Sequence, residues 1–576
     1  NTAYRGGSTF IRGNDTHVEN CKLDDNNATL RGGGLNIAGE RCTLDNIEIN
    51  NNNAGIMGGG IYVVSDGTNF TNIIADNNQA ERGGAAFING TNILVQHGEL
   101  NNNLARFNES KENESGLGGG FDIVGDNVLV DDVHSNNNQA YRGGSTFIRG
   151  ENVTVQNCNL DNNNATIRGG GLDVAGDNCI FENVSLSNCN ANGTGFDDGG
   201  GALYVVGNDN RFTNITSENN TAIQLGGSTY IGGNNNLIEN CTVLNNTAWN
   251  GGGIAIVGEN STFLNNNITN NQAIATLDDE EHGMNIQGGG VYIYGAGTNF
   301  TDNNISSNSA KDNGGGVSVF FGQYTYFENI YAFNNTAENG GFATLTFAHN
   351  MTVVNSTFYS NHATGDISDN RGEGGAFHLS YADDIDIQGN FTYNTATNGS
   401  AIYADGSGLY VHDTTFFDNQ AHSYYLLVAP EADTKFNKSE NITVRISLIG
   451  GDNVANAIYM NSYSDVLLRN LTYPFYNDGV LENRTFSRNE DVSPVIGYEN
   501  SENGKKIYLD DLEDNQIIYY EIYNIDTSES VVTYTSNRSD ITGSVYHTLS
   551  NLEVGNYSVR AYYPETTYYT AIRSEE

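Results

Sequence analysis

Residues 212–233 read FTNITSENNTAIQLGGSTYIGG, and almost everything between residue 1 and residue 421 is a variant of this stretch. It holds one Phe-x-Asn, one Asn-x-Ala and one Gly-Gly followed by alternating small, apolar and aromatic residues. The same order returns mostly every 25 or 26 residues, with Gly-Gly pairs from Gly6 to Gly374 and a degraded copy at Gly399-Ser400. A period in this range marks a solenoid, in which each unit is one turn of a stack and buries surface only against its neighbours.

Within a turn the alternation locates the strands. Leu35, Ile61, Leu172 and Val291 share a parity with Ile37, Val63, Val174 and Ile293, so about five residues after each Gly-Gly form a strand with one side facing a core. A turn glycine follows (Gly39, Gly90, Gly125, Gly150, Gly176), then an apolar pair such as Phe70/Asn72, Phe181/Asn183 or Phe327/Asn329, then a segment ending in Asn-x-Ala. Three short strands per turn predict a parallel β-helix with rungs about 4.8 Å apart, right-handed by the general rule for parallel crossovers. The alanine holds its place from Ala28 to Ala421, and Asn stands two residues before it except at Cys189. Stacked Asn amides bond to one another and to corner carbonyls, which makes this column architectural.

Four steps are long, and each carries its extra residues between Asn-x-Ala and the next Gly-Gly: 106–117, 192–198, 274–287 and 364–373. Insertions in solenoids map to loops on one edge, often the binding edge. Residues 1–490 therefore read as β-helix, with regular turns to 421 and atypical closing turns over 422–490. Residues 491–576 read as an Ig-like β-sandwich, with strands expected at 506–509, 517–522, 531–534, 543–549 and 557–563. The expected class is all-β throughout.

Composition narrows the partners. Asp and Glu outnumber Lys and Arg by 69 to 25, a formal charge of −44, which disfavours nucleic acid and anionic membrane. No apolar run of roughly 18 residues exists to span a bilayer. The spacing of the six cysteines suits small buried fillers better than a disulfide framework, and C-x-x-C is missing. Residues 1–7, NTAYRGG, nearly repeat 138–144, so the chain reads as a piece of a longer protein that begins inside a repeat.

The Phe-x-Asn, Asn-x-Ala and Gly-Gly-[Ala/Gly]-[Ile/Leu/Phe] repeats, followed by Leu552–Tyr563 (LEVGNYSVRAYY), resemble the adhesin-like surface proteins of methanogenic archaea. More distantly, Phe212-Thr213-Asn214 with Gly83-Gly84-Ala85 is similar to the repeats of chlamydial polymorphic outer-membrane proteins. The first resemblance implies an extracellular, glycosylated protein of the cell surface, anchored through segments outside this sequence. It implies attachment to another cell, a glycan or a protein receptor, and it supplies no catalytic residues.

Three sets of residues are candidates for function. The outward parity of the Gly-Gly strand carries Tyr62, Phe87, Phe147, Tyr204, Tyr230, Tyr292 and Tyr403, which an exposed sheet would offer to a glycan or partner; the plainer account is that the rings stack to stabilise the sheet. Asp278, Asp279, Glu280 and Glu281 form the densest carboxylate cluster and suit Ca²⁺, although the spacing of an EF-hand loop is missing and charge runs are usually only solvated; no other cofactor is expected. Asn108, Asn113 and Asn192 are loop sequons for N-glycosylation. A polysaccharide-degrading β-helix enzyme is the contrasting class, but Asp24-Asp25 and Asp131-Asp132 are not accompanied by Gly-His-Gly or Arg-x-Lys, and no enzyme is expected. A purely structural spacer is the third reading.

Overall fold

A computed structural model of the chain describes residues 1–111, 114–275, 285–365, 372–417 and 419–421, and beyond them, as far as residue 573, the strands named below with some connecting residues. The architecture is an all-β parallel solenoid whose C-terminal strands are antiparallel. Two compact units divide the chain, Asn1–Asn335 and Thr336–Glu576.

In the first unit the coil that enters the quoted stretch contains Leu203–Val206, Arg211–Thr213, Thr216–Glu218 and Thr221–Ala222. Each pairs in parallel with its equivalent one repeat on: Leu203 with Thr229, Phe212 with Ile238, Thr216 with Thr242 and Thr221 with Thr247. The three expected strands per turn thus gain a fourth, because the Asn-x-Ala alanine itself joins a short ladder. In earlier coils the two middle strands are one run, as in Asn69–Asp76, bent where Asn72 takes a φ of 53°. Asparagine tolerates this left-handed conformation, so in Phe-x-Asn the Phe enters the core and the Asn bends the strand. Inside, the phenylalanines stack from rung to rung, Phe263 on Phe300 at 4.6 Å and Phe300 on Phe327 at 4.9 Å. Gly-Gly is required at the next bend: Gly58 has a φ of 63°, and a Cβ on Gly59 would run into the Gly84 carbonyl of the next coil.

The asparagine column is an amide ladder. Asn220 Nδ2 donates to Asn246 Oδ1 (3.0 Å), Asn246 to Asn271 (3.0 Å) and Asn271 to Asn308 (3.0 Å), all buried. The same oxygens accept backbone N–H groups, and Asn246 Nδ2 also reaches the Ser217 carbonyl. At Cys189 the ladder keeps its backbone donor to Asn220 Oδ1 (2.8 Å) but loses the side-chain amide. The six cysteines are free, and burial pushes Cys158 and Cys189 up to about 12, so these are inert fillers.

The second unit contains the coil strands Ala343–Thr346, Phe377–Ser380 and Ile402–Asp405. Ile458–Met460 adds to the last of these in parallel, and Asp465–Arg469 adds to Gly408–His412. Antiparallel partners then cover these edges: Gly504–Leu509 pairs with Ile458–Met460, and Leu471–Asn477 turns back on Val480–Phe486. Tyr425–Ala429 leaves the coil to join Ile442–Ile449 and Ser544–Leu549 in a three-stranded antiparallel sheet. Strands on both sides of residue 490 therefore share sheets, a pairing that local alternation could not reveal. A second antiparallel sheet is built from Glu529–Arg538, Ile517–Asn524, Tyr557–Tyr563 and Ile572–Arg573. Buried Tyr520 hydrogen-bonds His547 Nδ1 at 2.8 Å, tying the two antiparallel sheets together.

Candidate functional site

The outward face of the Gly-Gly sheet differs from its expected appearance. Tyr62, Phe87, Phe147, Tyr204, Tyr230 and Tyr403 are buried, and Tyr292 is half-buried. The reason is packing along the ladder. Tyr204 stacks on Tyr230 with centroids 4.7 Å apart and planes 9° apart, and Tyr62 stacks on Phe87 at 5.3 Å. Their faces are covered by neighbours, so these rings present no platform to a ligand. Among the described residues of this column only Phe10, near the start of the chain, is exposed.

Arginines complete the cover. Arg31, Arg82, Arg142 and Arg168 each precede a Gly-Gly and lay their guanidinium over Tyr62, Phe87, Phe147 and Tyr204 at 4.3 to 4.9 Å from the ring centroid. This column also contains two buried carboxylates. Arg82 Nε donates to Asp122 Oδ2 at 2.6 Å, while Arg142 and Arg168 converge on Asp173 Oδ2 at 2.9 and 3.1 Å. Burial pushes Asp122 up to about 6, against the opposing pull of Arg82, Arg149 and Arg142. Burial likewise pushes Tyr204 up to about 12.

The insert loops are tied down to different degrees. In 106–117, Phe107 stacks on Tyr141 (3.8 Å), Lys111 pairs with Glu81 (2.9 Å), and Glu109–Lys111 forms a 3₁₀ turn. Asn108 is half-buried and its Nδ2 donates to Glu81 (2.9 Å), so a glycan there would displace an existing bond. Asn192 is exposed, with Nδ2 on Asn164 Oδ1 at 3.2 Å, and Phe196 in the same loop is 68% exposed. Asn113 and the expected calcium ligands Asp278, Asp279, Glu280 and Glu281 lie outside the described residues. Among the described residues no group of three His, Cys, Asp or Glu is placed to hold a metal ion.

Aromatic display occurs further along, at the last residue of the strand and in the corner that follows it. From Gly90 to Gly295 the corner residue after the Gly-Gly strand is glycine in every coil, and two residues on stands a left-handed Asn, Asp or Gly. In the coil after Val317–Phe320 the corner residue is Phe321 (φ 57°), and, with one extra residue in this corner, the left-handed place falls three residues on at Tyr324 (φ 56°). Left-handed backbone destabilises a bulky L-residue by roughly 1–2 kcal/mol, yet these rings are exposed, Phe321 by 46% and Tyr324 by 66%. Tyr294 of the preceding coil joins them, 5.7 Å edge-on from Phe321 and 5.9 Å stacked on Phe320. The second unit has a similar feature, exposed Phe347 and Tyr381, stacked at 5.6 Å with φ of 52° and 51°. The signal in the sequence is the loss of Gly and Asn at corners that otherwise conserve them from coil to coil.

No protein-family model and no curated protein matches the chain. Among solved structures, the crystal structure of PfbA, a surface adhesin of Streptococcus pneumoniae, is similar over 86% of this chain and 91% of that chain, at 10% sequence identity and a TM-score of 0.25. A likeness of that degree carries no argument about function. Among the described residues no helix is long and apolar enough to cross a membrane.

Proposed function

We propose that the chain is part of a non-enzymatic, extracellular attachment protein, a stiff β-helical scaffold that presents surface features to another cell, a glycan or a protein receptor. The observation that carries this reading is the buried amide ladder of the first unit. It runs from Asn220 through Asn246, Asn271 and Asn308 to Asn335, each Oδ1 taking a backbone N–H of the coil before it. Such a ladder commits the interior to holding rungs together, so variation between coils is expressed in the corners and inserts. An Ig-like stalk at the C-terminus, glycans on Asn108 and Asn192, and kinship with archaeal surface adhesins belong to the same proposal.

The features bearing on enzyme chemistry point the same way. Asp131 resists the upward push of partial burial because Asn157, Gln156 and Gln96 stabilise its charge, which does not suit a general acid. Asp122, whose pKa is raised, has no accessible side-chain surface. The test is adhesion of beads coated with the folded chain to whole cells and to glycan- or matrix-coated surfaces. Binding above uncoated beads is expected; equal retention of coated and bare beads on every surface would leave only the spacer.

A further inference from the structure

We infer that the corner cluster of Tyr294, Phe320, Phe321 and Tyr324 is a binding platform for a neutral polysaccharide, a site that rests on the attachment reading and gives it a place and a ligand class. Three observations converge on it. Tyr294, Phe321 and Tyr324 are exposed and Phe320 is half-buried, with Tyr294, Phe320 and Phe321 in mutual contact at 4.5 to 5.9 Å and Tyr324 three residues on in the same corner. An exposed aromatic group on a soluble surface marks an interaction site. Its backbone is also held against preference: Phe321 and Tyr324 take left-handed conformations at places that the preceding coils give to Gly, Asn or Asp, and strain of this kind persists where function retains it.

The third observation is charge. Lys311 is the sole basic residue between 285 and 335, within a chain of formal charge −44. A polyanionic glycan would meet repulsion and no guanidinium fork, whereas an uncharged sugar needs only apolar faces and a few hydrogen bonds. Aromatic side chains supply a flat apolar body with little conformational entropy to lose, and the phenols of Tyr294 and Tyr324 together with the exposed Gln323 amide supply donors and acceptors. The buried Tyr204–Tyr230 column has the same residue types without accessible faces, so it is not part of the platform.

The chain itself prescribes the variant that tests this. Tyr294→Val, Phe321→Gly and Tyr324→Asn install the residue types found at the same places in other coils, such as Val257, Gly258 and Asn260. The triple variant should therefore fold with an unchanged or higher unfolding midpoint. In affinity electrophoresis of the full chain, gels containing hydroxyethylcellulose, galactomannan or xylan should retard the wild type, and the triple variant should lose at least tenfold in apparent affinity. Polygalacturonate gels should retard neither. Free migration of the wild type in all three neutral gels, equal retardation of the variant, or stronger retardation by polygalacturonate would each overturn the inference. If beads still adhere to cells while every neutral gel is passed freely, the ligand class fails and attachment stands, with a protein partner as the occupant.

Discussion

Tyr292 and Tyr294 stand two residues apart on one strand and point to the same side of the same sheet, yet their surroundings differ. Tyr292 belongs to the column of Tyr204 and Tyr230, packs against that cluster and is half-buried. Tyr294 ends the strand, next to the corner, and is 42% exposed beside Phe320 and Phe321. Parity alone would treat the two alike. What separates them is the neighbour: mid-strand rings are closed in by rings of adjacent coils and by arginines, whereas Tyr294 ends its strand in a column that holds Val206 and Val257 in earlier coils, and Phe321 stands where those coils have glycine. An aromatic residue on an outward parity is therefore displayed only where the local packing leaves its face open.

The strongest challenge to this contrast is Arg82→Met. It strips the partner from Asp122, whose carboxylate is fully buried, and should destabilise the first unit by about 3–5 kcal/mol, read as a fall in the urea midpoint. Asp122→Asn in the same background should restore much of the loss; failure to do so would show that the guanidinium acts mainly by packing on Phe87. Tyr204→Ala should follow at about 3 kcal/mol, since it removes a buried ring from a stack. A surface-like change below about 0.5 kcal/mol would mean that this column is open after all.

The buried carboxylate also predicts a pH dependence. Because burial pushes Asp122 up to about 6 in the folded chain, above the ordinary 3.8 of an aspartate, the native state binds the extra proton between these values. Its contribution to stability therefore rises as pH falls through about 6, is complete below 3.8, and is lost as pH rises through 6. Unfolding midpoints of wild type and Asp122→Asn measured from pH 4 to 7 should diverge in that sense, with the flatter profile in the variant. The smallest effect is expected at the corner: Phe321→Gly should raise stability by about 1 kcal/mol by relieving left-handed strain. A loss of stability instead would indicate that the ring is needed by the fold and would remove the contrast with Tyr292.

Much of the architecture was legible because it is written as repetition. Gly-Gly, Phe-x-Asn and Asn-x-Ala each answer a local backbone demand, and a demand met in every coil is visible without coordinates. The amide ladder, including its gap at Cys189, could be read from spacing alone. The expected strands near the C-terminus are also present, as at Ile517–Asn524 and Tyr557–Tyr563. Their partners were not legible. That Ile442–Ile449 pairs with Ser544–Leu549, across about a hundred residues, depends on long-range register with no repeat to announce it.

The candidate site divides along the same line. The sequence by itself determined which residues alternate outward, because a strand has a period of two and the repeat sets its phase. It also carried the mark of the corner cluster, since Phe321 and Tyr324 interrupt a run of Gly and Asn. Only the tertiary structure decided which outward rings remain open. Exposure is a property of what lies across the ladder, and for Tyr204 that cover is Arg168 and Tyr230, contributed by two different coils.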